Sequence, residues 1–399
     1  PELYLGTIEE AELSDTSIIY KPAKIRKINV SQVDAPPVVT KSFEELTDEE
    51  AENHKLLHTF LKENHFPRLH PEESKALKQM LWNERNVFSR HEDDIGNVPD
   101  LELHISTLDK EPVVKNYNSI PKPLMVEVKE HVENMLSRGW IQKSKSSCLS
   151  PVVIAKKKDG RIRLCVDYRL LNKKTIADKF PIPRIQEALD QLQGSSLFSC
   201  LDMAKAYHQG YVAQSSRDRT AFVTPWGFYE WLRIPFGLKN AVSTFQRYME
   251  GVLEAERCHY AIPYLDDTII HSIDAQSHIN HLRQVLQRFK SRGLKLNIAK
   301  CDLWKSEVSY LGRIVSKDGY KMDPRNIQAV QELKNKNFQT IGEVRQVLGL
   351  LSFHRRFVQN FASIAKPLSD LLVIDEFDTK AKCQKSAIPS NWKIKWKEN

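Results

Sequence analysis

Two short segments carry carboxylates where metal chemistry could use them. Phe198-Ser199-Cys200-Leu201-Asp202 reads as a strand ending in an acid, followed by a helix-like Met203 to Gly210. Tyr264-Leu265-Asp266-Asp267 reads as a tight turn between the strand-like runs Ala261-Ile262-Pro263 and Thr268-Ile269-Ile270. Adjacent carboxylates repel, and burying them uncompensated is costly. A divalent cation relieves that repulsion, and oxygen ligands suit Mg²⁺. Most Asp-Asp turns are solvated loops, so the chemistry has to be argued from the surroundings.

Other elements must hold these acids in place. Pro151-Val152-Val153-Ile154-Ala155 predicts a strand, Lys156-Lys157-Lys158-Asp159-Gly160 a basic turn, and Arg161 to Tyr168 the returning strand. Ile162, Leu164 and Val166 alternate there with Arg161, Arg163 and Asp167. From Ala155 to Thr175 there are eight basic residues against two acidic ones, which by itself reads as a solvated basic hairpin. Thr47-Asp48-Glu49-Glu50 predicts a capping box opening a helix. A second helix starts near Pro71 with Leu77, Met80 and Leu81 on one side. Leu124 to Ser137 and Ser277 to Arg292 are amphipathic helices stopped by Gly139 and Gly293. Helix, strand and hairpin signals interleave to about residue 320, which predicts an α+β architecture rather than a repeated βα pattern.

The bulk numbers agree with such a molecule. At 399 residues the chain is long enough for two to four subdomains. It is 41% hydrophobic and 28% charged, as in ordinary soluble proteins. Its net charge of +8 makes a polyanion the natural candidate partner, though a membrane surface or plain solubility would also fit; basic stretches lie at 155–175 and 283–300. The six cysteines include no Cys-x-x-Cys pair, which argues against a zinc site and a disulfide framework and for a reducing compartment. No apolar run is long enough to cross a bilayer, so no membrane partner is expected. The chain begins at Pro1 and reads as a piece of a longer polyprotein.

The order of these features is more specific than any one of them. The basic hairpin, Leu201-Asp202 with Tyr207 five residues on, Pro235-Phe236-Gly237-Leu238, Tyr264-Leu265-Asp266-Asp267 and Tyr310-Leu311-Gly312 resemble the successive motifs of reverse transcriptases. The nearest likeness is to the gypsy-type (Metaviridae) LTR-retrotransposon enzymes. It extends to Cys165-Val166-Asp167-Tyr168-Arg169, Phe180-Pro181-Ile182-Pro183-Arg184, Thr244-Phe245-Gln246-Arg247 and Gly293-Leu294-Lys295-Leu296-Asn297, and covers roughly residues 80 to 372. Val242, Met203-Ala204-Lys205-Ala206 and Ser147-Cys148-Leu149 depart from that family's usual residues, and none of them is a metal ligand.

The resemblance implies an α+β right-handed polymerase with fingers, a palm of small antiparallel sheet backed by helices, and a thumb. It implies an RNA-directed DNA polymerase that adds dNTPs to a primer 3′-hydroxyl on an RNA or DNA template. Asp202, Asp266 and Asp267 would be the catalytic acids and would bind two Mg²⁺ ions, with Mn²⁺ as a substitute. Lys157, Arg163, Tyr207 and Phe236 would meet the dNTP. Tyr264, Gly237, Leu311 and Gly312 would lie along primer and template. The implied organisation is an arm at 1–70, fingers and palm at 71–312, thumb and the start of a connection at 313–372, and a polar tail at 373–399 that stops before an RNase H domain. Such a chain is normally joined to RNase H and integrase and works in a cytoplasmic virus-like particle. The rival readings are an inactive or domesticated nucleic-acid-binding remnant and an RNA-dependent RNA polymerase.

Overall fold

The acid-ending strand Leu197–Asp202 lies inside a four-stranded antiparallel sheet. Its neighbours are Asp267–Ser272 on one side and Asp302–Lys305 on the other, and Ala261–Tyr264 forms the far edge. Side chains alternate across a strand. Phe198 enters an apolar cluster with Leu189, Ile262, Ile269, Val308, Tyr310 and Val315. Ser199 turns the other way and meets His278 at 2.8 Å on the helix Ala275–Ser291. Both faces of the sheet are therefore covered.

That helix forms where the sequence placed it. Asp274 caps it by accepting from the Ser277 amide at 2.9 Å. Ile279, Leu282, Val285, Leu286 and Phe289 make its buried stripe, and Gly293 follows with φ +71. The Thr47 capping box is also present, and Leu77, Met80 and Leu81 are buried on the helix Pro71–Asn83.

This computed structural model describes residues 3–5, 13–14, 17–18, 26–28, 43, 47–64, 66, 69–117, 119–156, 160, 162–257, 259–324, 340–370 and 372. The chain divides into two compact units, 1–46 and 47–399. In the first, Leu3–Leu5 pairs with Arg26–Ile28, and Leu13–Ser14 pairs with Ser17–Ile18. The division falls upstream of the residue-70 boundary expected from sequence, because the helix Lys55–Glu63 buries Leu57 and Leu61.

The basic hairpin belongs to a five-stranded sheet in the order Ile141–Lys143, Gly227–Trp231, Phe222–Thr224, Ser150–Lys156, Ile162–Val166. Its register runs from Val152 opposite Val166 to Lys156 opposite Ile162. Lys157, at its tip, lies outside the described residues. Glu307–Tyr310, Arg313–Ser316 and Gly319–Met322 form a three-stranded meander. The helices Ile341–Phe353 and Phe361–Asp370 follow it. Among the described residues no helix is long and apolar enough to cross a membrane.

The segment after Asp202 differs from the expected helix. Only a short 3-10 turn forms, at Ala206–Gln209. Lys205 is left-handed at φ +49, which breaks a helix there. The fully buried Gln209 explains the path: its amide donates to the Ala204 and Lys295 carbonyls and accepts from the Lys295 amide, each at 2.9 Å. Side-chain bonds to the backbone have replaced the helical ladder.

Candidate active site

The sheet register sets Asp202 directly opposite Asp267. Asp266 occupies the two-residue turn beside them, between the paired residues Tyr264 and Asp267. Leu265, the other turn residue, sits at φ +54, a strained conformation for a side chain branched beyond Cβ. Lys205 at φ +49 and Leu311 at φ +50 are left-handed too. Such outliers persist only where the surroundings over-determine them.

For the acid turn, that restraint is Gln246. Its side chain is fully buried on the helix Ala241–Val252. Its Oε1 accepts from the Leu265 amide at 2.8 Å and its Nε2 donates to the Pro263 carbonyl at 3.0 Å. Gln246→Met keeps the volume and removes both bonds. Leaving two buried backbone groups unpaired is expected to lower the unfolding free energy by roughly 2–4 kcal/mol. Denaturant unfolding that matches the parent would show that the turn holds its shape without Gln246.

Burial pushes the Asp202 carboxyl up to about 6, aided by the charges of Asp267 and Asp266 and opposed by Lys300. Asp266 and Asp267 are raised as well, again chiefly by burial. Asp202 Oδ1 and Asp266 Oδ1 are buried without a hydrogen-bond partner, and an orphaned buried carboxylate oxygen asks for a ligand. Among the described residues no three His, Cys, Asp or Glu side chains already form a metal cage. The donor set nonetheless fits Mg²⁺, which one or two carboxylates hold together with substrate phosphates and water rather than an all-protein cage.

Sequence reasoning assigned no role to three residues around the acids. Lys300 Nζ lies 3.7 Å from Asp202 Oδ2. Cys301 Sγ accepts from the Asp202 amide at 3.4 Å. Gln246 completes the set; its only sequence signal was an amide beside Phe245 on an otherwise apolar helix face.

Most of the expected nucleotide-facing residues come together. The Asp266 carboxylate lies near the Tyr207 hydroxyl, and its charge adds to burial in raising the phenol. The Tyr207 ring meets Phe245 and Phe236 edge-on, at 5.5 and 5.4 Å between centroids. The Arg163 guanidinium lies 5.2 Å above the half-exposed Phe236 ring. A continuous wall therefore runs from Asp266 through Tyr207 and Phe236 to Arg163. Gly237, at φ +92, offers its carbonyl to Asn172 at 2.7 Å. Tyr264 and Leu311 pack on one apolar cluster, which joins the acid turn to the Leu311-Gly312 turn.

The basic stretch at 283–300 proves less available than its charge suggested. Arg288 is paired with Glu256, Lys290 with Glu84, Arg292 with Asp100 and Lys295 with Asp94, besides Lys300 with Asp202. Much of that charge is balanced inside the protein.

An antiparallel acid-bearing sheet backed by helices, with a second sheet that carries a basic hairpin, is the architecture of the α+β right-handed polymerase class. Residues 154–315 match the family model described as "Reverse transcriptase (RNA-dependent DNA polymerase)", so the chain carries a reverse transcriptase domain. It is 35% identical over 313 residues to the "Retrovirus-related Pol polyprotein from transposon 297" of Drosophila melanogaster, a match covering 76% of this chain and 29% of the relative. Over 304 residues it is 35% identical to the corresponding polyprotein from transposon gypsy, with 75% and 29% covered. The chain thus spans less than a third of these relatives' length. A foamy viral protease-reverse transcriptase in complex with dsDNA has a similar fold, with TM-score 0.74, 21% identity, and 86% of this chain and 70% of that one covered. The same viral protein in complex with RNA/DNA hybrid gives TM-score 0.70, 21% identity, and 88% and 45% covered.

Proposed function

We propose that this chain is the RNA-directed DNA polymerase portion of a gypsy-type retrotransposon polyprotein, adding dNTPs to a primer 3′-hydroxyl on an RNA or DNA template. The observation that carries the reading is the pair of orphaned buried oxygens on Asp202 and Asp266, at the foot of the Tyr207–Phe236–Arg163 wall. Asp202 and Asp266 would hold two Mg²⁺ ions, with Asp267 as an auxiliary acid. When bound, the ions neutralise charge on the attacking and leaving oxygens of an in-line displacement. The protein's own share is positioning and electrostatics. Arg163 and Lys157 meet the triphosphate, Tyr207 and Phe236 floor the sugar, Tyr264 with Leu311 and Gly312 steadies the primer end, and Gly237 lies by the template. Lys300 balances the Asp202 charge until substrate arrives.

In this reading fingers and palm occupy 71–312, and the thumb begins within 313–372. The intact chain continues into RNase H and integrase and works inside a virus-like particle.

Primer extension on an RNA template with dNTPs tests the proposal. Extension is expected with Mg²⁺ and not after chelation. Tight hybrid binding without extension would instead support a binding remnant. Binding should weaken with salt through counterion release, with a log–log slope of at least about −3. Because the 283–300 cations are largely paired, that slope should respond to changes in the 155–175 stretch. A flat response there would assign the net charge another use.

A further inference from the structure

Arg313 directly follows the Leu311-Gly312 turn and is buried, with 8% of its surface exposed. Its guanidinium is sandwiched between Phe353 and Phe357, 4.6 Å from each ring. Its Nη2 donates to the Phe353 carbonyl and its Nη1 to His354 Nδ1, both at 3.1 Å. All three partners lie where the helix Ile341–Phe353 ends and the chain turns toward the helix Phe361–Asp370. Burying a guanidinium is costly, and an apolar residue would fill the space at less expense. What arginine adds is a rigid planar fork that fixes direction as well as distance.

The other end of this connection is equally firm. Arg313 pairs with Tyr310 across the turn, and Tyr310 is packed in the cluster that holds Phe198 of the acid strand. Phe357 also meets Tyr320 edge-on at 6.1 Å, and the Tyr320 hydroxyl accepts from Gln186 at 2.9 Å. Among the described residues, the arginine fork supplies directional bonds from this meander to the helix junction.

We infer that Arg313 is a positioning residue that couples the helix pair 341–370 to the Leu311-Gly312 turn, so that nucleic acid held by the helices sets the primer end against the acids. The inference rests on the reading of that turn as a primer contact. Arg313→Lys keeps the charge and loses the fork. It is expected to raise the KM for primer-template roughly tenfold and to shorten products made in one binding event, as loss of a ring sandwich and two hydrogen bonds implies. The kcat at saturating primer and the KM for dNTP should stay within about twofold of the parent. His354→Gln, which keeps an acceptor for Nη1, should behave as the parent, whereas His354→Leu should resemble Arg313→Lys.

Parental kinetics in Arg313→Lys overturn the coupling. So does a loss confined to the active fraction, with lowered thermal stability and unchanged KM. Gly312→Ala separates the two readings, since Gly312 sits at φ +73 where a side chain strains the turn. Unchanged primer KM in Gly312→Ala overturns the primer-contact reading. A raised KM there beside a parental Arg313→Lys overturns the coupling alone.

Discussion

Asp202→Asn and Asp266→Asn are each expected to lower primer extension by on the order of a thousandfold or more, because losing one metal ligand forfeits several kcal/mol of transition-state stabilisation. Both carry a buried oxygen without a partner. Asp267 is not among those orphans, so Asp267→Asn should retain more activity than either. Primer-template binding should survive in all three, since phosphate contacts elsewhere supply affinity. Extension near the parental rate in Asp202→Asn or Asp266→Asn would sink the assignment.

Stability should move the opposite way. The Asp202 carboxyl rises from 3.8 to about 6 on folding, so the folded chain holds this proton more tightly than the unfolded chain. Stability then falls as pH rises from about 4 to 6, and the cost, on the order of 2 kcal/mol, is fully present at neutral pH. Metal-free Asp202→Asn should therefore unfold at a higher temperature than the parent at pH 7 and lose the advantage near pH 4. Mg²⁺ should stabilise the parent more than the variant. An unfolding temperature that drops at both pH values would mean that Asp202 is a structural residue.

The order of motifs singled out the three acids, period-two alternation placed the basic hairpin, and apolar runs flanking a turn placed the acid hairpin. The helices at 71–83 and 275–291 were legible because their apolar stripes are unambiguous. The segment after Asp202 was not, because its path is set by Gln209, whose partners at Ala204 and Lys295 are brought together only by the fold. Lys300 and Gln246 escaped notice for the same reason: each acts on a turn or strand distant in sequence. Net charge misled at 283–300, where composition counts cations but not the acids of 84, 94, 100 and 256 that meet them.

Tyr207→Val should admit ribonucleotides far more readily while dNTP extension stays measurable. Tyr207 has two readings, a wall beneath the incoming sugar and an ordinary core aromatic, and the structure gives it features of both. The ring is 8% exposed and wedged between Phe245 and Phe236, as a core residue would be. Yet the Asp266 carboxylate lies close enough for its charge to raise the Tyr207 hydroxyl, so the ring stands beside the acid turn. The 2′-hydroxyl distinguishes the two nucleotide classes, and an aromatic wall there excludes it by volume. Removing the ring opens that space, and the discrimination lost should be about 100-fold, the scale of a 2–3 kcal/mol steric term. Tyr207→Phe keeps the wall and removes the hydroxyl beside Asp266, so it should retain sugar choice while slowing extension. Competing ribo- and deoxynucleotides in single-addition assays measure both effects. If Tyr207→Val discriminates as well as the parent, the ring only packs the core, and the case against an RNA polymerase loses its strongest residue.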